Sequence, residues 1–311
     1  MHWNFTNIIL RPGGAKLGPG YLGLALEIGF GNGEYLQHLA DSGRYDLAVG
    51  IEVSQWCITK AARRALANGT RNIRLMCGDA RHLLKYTFEK ESVRDVFMNF
   101  PCPWPKRRHA DRRVARSDFA KMLALYIMPG GAFTLATDVP WYADDAREVF
   151  ASSPHFAAGR VIRNPDRDCV TKYERKWKAM SRDTFQLRAE KTGHCAGTEA
   201  QTGTEDDGMT CDAESASNPN INFRAKVASL QEDAVTGIDY RAMFREIFWR
   251  GENEALVLVI SADEGFEQHY YLRITENNGR YNVRTDSVGH PYKTPAVRAS
   301  VKHVMQRLSG V

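Results

Sequence analysis

The sequence predicts an α/β fold over its first 190 or so residues, a mostly parallel sheet with helices on both faces, followed by a small α+β domain. Three observations predict it: apolar runs of strand length alternate with helical patterns, glycines cluster at the end of the first run, and the composition shifts sharply after residue 193. The strands are LGLALEI (22–28), LAVGIEV (47–53), NIRLMCG (72–78), VRDVFMNF (93–100) and GAFTLAT (131–137). Each is short, apolar and β-branched or aromatic, as a strand buried on both faces should be. Helical patterns fill the intervals near 33–42, 54–68, 80–86, 114–128 and 140–151, and Pro129-Gly130-Gly131 is expected to end the fourth of them.

Residues 194–220 hold six acids, no Lys or Arg, and few large apolar groups, so an acidic flexible linker is expected there, with domains at 1–193 and 221–311. Beyond it come INFRAKVAS (221–229), a stretch expected to be helical (IDYRAMFREIFWRG, 238–251), the runs ALVLVIS, FEQHYYLRIT and NNGRYNVRT, and a closing helix after Thr294-Pro295. Asn278-Gly279 is a hairpin signal.

The chain has 311 residues, 43 % hydrophobic and 25 % charged, which is ample for a core. No apolar run reaches the ~18 residues needed to cross a bilayer, so no membrane partner is expected. Six scattered cysteines without a C-x-x-C pair point to a reducing, cytoplasmic setting and to no metal site. Removing the six acids of 194–220 from a net charge of +5 leaves a body of +11, suited to a polyanion.

The first strand ends in E-I-G-F-G-N-G, Glu27 to Gly33. Gly29, Gly31 and Gly33 permit a tight turn and close approach of a ligand to the backbone, although such a turn also fits a β-to-α connection that binds nothing. Glu52 closes the second strand, 19 residues after Gly33, where an acid accepts from both hydroxyls of a ribose. Asp79 closes the third, placed for an adenine amino group. Glu27, just ahead of the glycines, would repel a pyrophosphate and attract an ammonium or sulfonium. No Lys-Ser/Thr of a phosphate loop follows. The combination points to S-adenosyl-L-methionine and a methyl transfer.

The stretch NFPCPWPKRRHADRR (99–113) sets two large apolar groups, Phe100 and Trp104, among prolines and cations. Lys106, Arg107, Arg108, His109, Arg112 and Arg113 form a cluster suited to phosphates, with Arg108 the one best read as simply solvated. Trp104 is read as packing to shape the loop rather than stacking on a base.

With E-I-G-F-G-N-G, G-I-E, the 99–113 stretch, A-T-D (136–138) and T-K-Y-E (171–174), the chain over residues 20–191 resembles the bacterial tRNA (guanine-N7-)-methyltransferase family. The resemblance implies a class I methyltransferase, Rossmann-like fold and S-adenosylmethionine-dependent methylation of guanine N7 in the variable loop of tRNA. It implies that Glu27, Glu52 and Asp79 bind the donor, and that Lys106, Asp138, Thr171, Lys172, Tyr173 and Glu174 lie on the tRNA side. Asp138 is a candidate to orient the guanine through its ring N–H and amino group. Guanine N7 carries a lone pair and no proton, so in-line transfer needs no general base. Where the family has an aspartate, this chain has Cys102, a position implied in both donor binding and catalysis. A thiol is a feeble acceptor, so a lost orienting carboxylate is expected rather than a nucleophile. The rival reading is a catalytically impaired protein that still binds tRNA and cofactor. The domain at 221–311 lies outside the resemblance and carries 12 Lys and Arg against 11 Asp and Glu. Dimerisation, scaffolding and tRNA contact remain open for it, as do a monomer and a homodimer for the chain.

Overall fold

The computed structural model describes residues 5–10, 16–18, 20–21, 23–104, 113, 116–194, 208–212, 219–264, 266–288 and 291–309. The chain forms two compact units that divide between Ala200 and Gln201.

In the first unit a short helix, α1 (Phe5–Ile8), precedes five strands and five helices in strict alternation: β1 (Leu24–Ile28), α2 (Glu34–Asp41), β2 (Leu47–Glu52), α3 (Gln55–Ala67), β3 (Ile73–Cys77), α4 (Ala80–Thr87), β4 (Val93–Asn99), α5 (Ser117–Tyr126), β5 (Ile127–Thr137) and α6 (Pro140–Ala151). β6 (Phe156–Ala158), β7 (Ile162–Arg163), α7 (Lys172–Ala179) and β8 (Phe185–Lys191) follow. The sheet runs β3-β2-β1-β4-β5-β8-β6, with β7 also paired to β8. Strands β1 to β5 are parallel and β8 is antiparallel to its neighbours, so the sheet is mostly parallel as the alternation predicted.

Both faces are covered. Phe97 of β4 packs with Ala25, Ala48 and Leu75 against α1–α3. Its neighbour in sequence, Val96, is registered with Phe133 of β5 and so faces the other way. There Phe133 stacks on Phe150 of α6 at 4.6 Å and meets Phe119 of α5 edge-on. Burying each of these rings contributes about 1.5–3 kcal/mol. α5 ends at Tyr126, before Pro129, and β5 takes a register shift against β4 near its start. A Cβ at Gly131 would lie 2.0 Å from the Arg94 carbonyl oxygen, so the strand pairs there only with glycine.

The second unit is an antiparallel sheet of order β10-β11-β12-β13-β14-β9, formed by β9 (Gly208–Asp212), β10 (Ala234–Thr236), β11 (Tyr240–Trp249), β12 (Glu254–Asp263), β13 (Phe266–Asn277) and β14 (Arg280–Thr285). α8 (Pro219–Ala228) and α9 (Pro295–Ser309) complete its core around Phe223, Phe244, Tyr281 and Val304. Two expectations are corrected. The stretch 238–251 is strand β11, not a helix. A bulge between Phe244 and Ile247 breaks its alternation, so the inward positions Ala242, Phe244 and Ile247 do not keep a period of two. Within the stretch expected to be linker, Gly208–Asp212 pairs with β14 through backbone bonds, which require no large apolar side chain. The Asn278-Gly279 hairpin is present, with positive φ at both residues. Among the described residues no helix is long and apolar enough to cross a membrane.

Candidate methyl-donor and guanine site

The carboxyl ends of β1, β2, β4 and β5 converge where the sheet order reverses from β1 to β4, the place where open α/β sheets bind ligands. At the end of β1 the chain turns through Gly29, Gly31 and Gly33, all with positive φ. A Cβ at Gly29 or Gly31 would meet nothing within 4 Å, so the turn is open on its outer side. Gly33 serves another purpose: a Cβ there would come within 2.7 Å of the Ala61 Cβ, so it lets α2 start hard against α3.

Glu27 is 2 % exposed, and its Oε1 accepts from Asn99 Nδ2 at 2.9 Å. Its Oε2 is buried with no hydrogen-bond partner among the described residues. Burial pushes the carboxyl up to about 7, opposed by the Asn99 hydrogen bond and the Arg167 charge. A buried carboxylate with an orphaned oxygen could accept from a cation bearing N–H donors. Glu52 accepts from the Gly31 N–H at 3.0 Å and the Ser54 N–H at 3.1 Å, which ties the turn to β2. Each of its oxygens retains a second lone pair for a hydroxyl. Asp79 caps α4 and is gripped by the Arg81 guanidinium at 2.5 Å. Burial would raise its carboxyl, but the hydrogen bonds and charge of Arg81 outweigh that and hold it below the usual carboxylate range.

At the end of β4, Phe100 takes φ 52 while its N–H donates to the Ala136 carbonyl at 2.7 Å, and Trp104 takes φ 45. Bulky residues in this region cost about 1–2 kcal/mol each, strain of the kind that gathers at functional loops. Trp104 is half-buried, and its carbonyl accepts from Arg113 Nε at 3.2 Å. Arg113 also lies over the Trp141 ring at 5.0 Å and 3.7 Å from Asp145, so it braces the loop. Cys102 is exposed. Lys106, Arg107, Arg108, His109 and Arg112 lie outside the described residues. Asp138, after β5, pairs with Arg182 at 3.3 Å, and Arg182 rests on Trp177 of α7 at 4.6 Å.

Thr171 caps α7, accepting from the Glu174 N–H at 3.3 Å. T-K-Y-E therefore has the form of a capping box, except that the Glu174 side chain turns to Arg167 at 3.2 Å. Glu174 is fully buried, whereas Lys172 and Tyr173 are exposed. The Lys172 N–H donates to Glu34 Oε2 at 2.6 Å, docking the start of α7 on the start of α2. Sequence reasoning missed Glu34, Asn99 and Arg167. Asn99 stands at the head of the 99–113 stretch, and T-x-x-E was an available helix-start signal, but nothing local marks Arg167.

A family model described as "Putative methyltransferase" matches residues 23–187. The tRNA (guanine-N(7)-)-methyltransferase of Thermotoga maritima is 34 % identical over 287 residues, 92 % of this chain and 89 % of that protein. The protein of that name from Thermus thermophilus is 29 % identical, over 92 % of this chain and 88 % of its own. The one from Pseudomonas putida strain W619 is 31 % identical over 172 residues, 54 % of this chain and 72 % of its own. The first two alignments are longer than the first unit and extend into the second. With that coverage, the chain belongs to the tRNA (guanine-N(7)-)-methyltransferase family.

Proposed function

We propose that the protein transfers the methyl group of S-adenosylmethionine to N7 of a guanine in the variable loop of tRNA. The observation that carries this reading is Glu27, a buried carboxylate with one unpartnered oxygen beside an open glycine turn, in a chain of this family. The donor supplies an electrophilic methyl on a sulfonium. Glu27 would hold its ammonium, Glu52 its ribose hydroxyls, and Gly29 and Gly31 would let it lie against the backbone. Asp79 would receive the adenine amino group, and for this Arg81 must release part of the carboxylate.

Because N7 presents a lone pair and no proton, no group of the chain has to act as a base. The chain's work is alignment, exclusion of water and tolerance of the cationic product ring. Asp138 would orient the guanine through its ring N–H and amino group, with Arg182 fixing the carboxylate. Lys106, Arg107, His109 and Arg112 would neutralise phosphates, and Thr171, Lys172 and Tyr173 would line the tRNA side. Glu174 would act from below by securing α7. Cys102 would be a tolerated replacement for an orienting carboxylate.

Incubation of unmodified tRNA with the protein and the donor, followed by nucleoside mass spectrometry, tests this. The account expects 7-methylguanosine. A protein that binds tRNA and donor but yields none would be the impaired binding protein instead.

A further inference from the structure

Arg167 lies in R-N-P-D-R-D-C (163–169), where an arginine ordinarily points into water. Its side chain is instead 5 % exposed. Nη2 donates to Asn99 Oδ1 at 2.5 Å and Nη1 to Glu174 Oε2 at 3.2 Å. The guanidinium lies over the Tyr35 ring at 5.2 Å and the Phe100 ring at 5.8 Å. The amide of Asn99 has one accepting end and one donating end. With its oxygen held by Arg167, its NH2 is committed to Glu27 Oε1 at 2.9 Å.

We propose that Arg167 is a positioning residue that orients Asn99 and keeps the Glu27 carboxylate charged and aimed at a ligand ammonium. It thereby links the donor pocket to the Thr171–Glu174 helix start. The inference rests on the reading of Glu27 as the ammonium site. The groups that face Glu27 are Asn99, Arg167 and the Leu36 backbone N–H, which favour its charged form, Glu52, which opposes it, and the neighbouring Tyr35 and Cys169. Burial first, and then the Glu27 charge, pushes Tyr35 and Cys169 up against the pull of Arg167 and keeps both neutral near pH 7. Without the guanidinium, Glu27 holds its proton to higher pH, and a protonated Glu27 cannot attract an ammonium. Because Arg167 also grips Glu174, an altered fit at the start of α7 reaches Glu27 through three hydrogen bonds, from Glu174 to Arg167, to Asn99 and to Glu27.

Two probes separate this from a purely structural role. S-adenosylhomocysteine carries the ammonium; 5′-methylthioadenosine carries the nucleoside without the amino acid. Both are titrated calorimetrically into the full chain between about pH 6 and 8.5. In the wild type, S-adenosylhomocysteine affinity should fall about tenfold as pH drops across that range, and methylthioadenosine affinity should stay flat. Arg167→Met should move the midpoint of the fall upward by about one pH unit and leave methylthioadenosine binding intact. Arg167→Lys keeps the charge but not the fork. It should hold the midpoint near wild type while weakening S-adenosylhomocysteine several-fold, and it serves as the test should Arg167→Met fail to fold. An unshifted midpoint in Arg167→Met, or wild-type affinity for both probes in Arg167→Lys, overturns the inference. A wild type that binds neither probe, or whose response to pH is the same for both, refutes the reading of Glu27 itself.

Discussion

Replacing Glu27 by Gln should make the protein more stable and less able to bind its donor. The carboxyl has an ordinary value of 4.5 and stands at about 7 in the fold, because burial outweighs the help of Asn99 and Arg167. Below the ordinary value the group is protonated in both folded and unfolded chains and costs nothing. Between the two values the unfolded chain ionises freely while the folded one resists, so stability is lost as pH rises. Above the folded value the loss is complete, at roughly 3 kcal/mol. Gln does not titrate, and its Oε1 can still accept from Asn99. The stability of Glu27→Gln relative to wild type should therefore increase by about 2.5 kcal/mol between pH 5 and pH 8. Urea unfolding of both proteins at the two pH values, following the transition of the first unit, reads this difference. Calorimetry should show donor affinity reduced at least tenfold at pH 8. A stability difference that does not change with pH would mean that Glu27 is solvated and that its unpartnered oxygen is no ligand site.

Two of the three glycines of the turn should part company. Gly33→Ala, with φ 75 and a Cβ 2.7 Å from Ala61, should cost about 2 kcal/mol or more in chemical denaturation; Gly29→Ala, with φ 72 and open space, should cost about 1 kcal/mol and act mainly on donor affinity. Tryptophan-loop cations should divide likewise. If Arg113 braces the loop and Arg112 meets phosphate, Arg112→Ala with Arg113→Ala should reduce the salt slope of tRNA binding by about 0.9 for the one lost contact, and an unchanged slope would leave Arg112 a solvated residue. Cys102→Ser should stay within a few-fold of wild type in single-turnover methylation, and Cys102→Asp should equal or exceed it. A folded, inactive Cys102→Ser with a protein–RNA adduct in the wild type would make the thiol a nucleophile.

The β-to-α alternation of the first unit could be read because its strands are buried on both faces and appear as apolar runs. The later strands could not be read so simply. In β8 the inward positions are Leu187, Ala189 and Lys191, and a lysine spoils the pattern. Lys191 is nevertheless fully buried, with its ammonium held by Glu91 and the Ile127 carbonyl. In β11 the bulge shifts the phase of alternation. At the candidate site, the places of Glu27, Glu52 and Asp138 at strand ends were legible from the apolar runs they close, and such ends are where these sheets bind ligands. Arg167 was not. Its burial depends on Glu174 nearby in the chain and on Tyr35, Asn99 and Phe100 from two distant parts of it. Only the fold brings them together. Glu174 was readable as part of a motif, but its inward direction depends on that same arginine.

The central claim is most directly tested by locating the methyl group. N7-methylated guanosine in tRNA becomes a chain-cleavage point after borohydride reduction and aniline treatment. tRNA incubated with wild-type protein and S-adenosylmethionine should be cleaved at a single guanosine in the variable loop, and tRNA treated with Glu27→Gln should be cleaved far less at the same position. Cleavage at other guanosines, or equal cleavage by wild type and Glu27→Gln, would contradict the account.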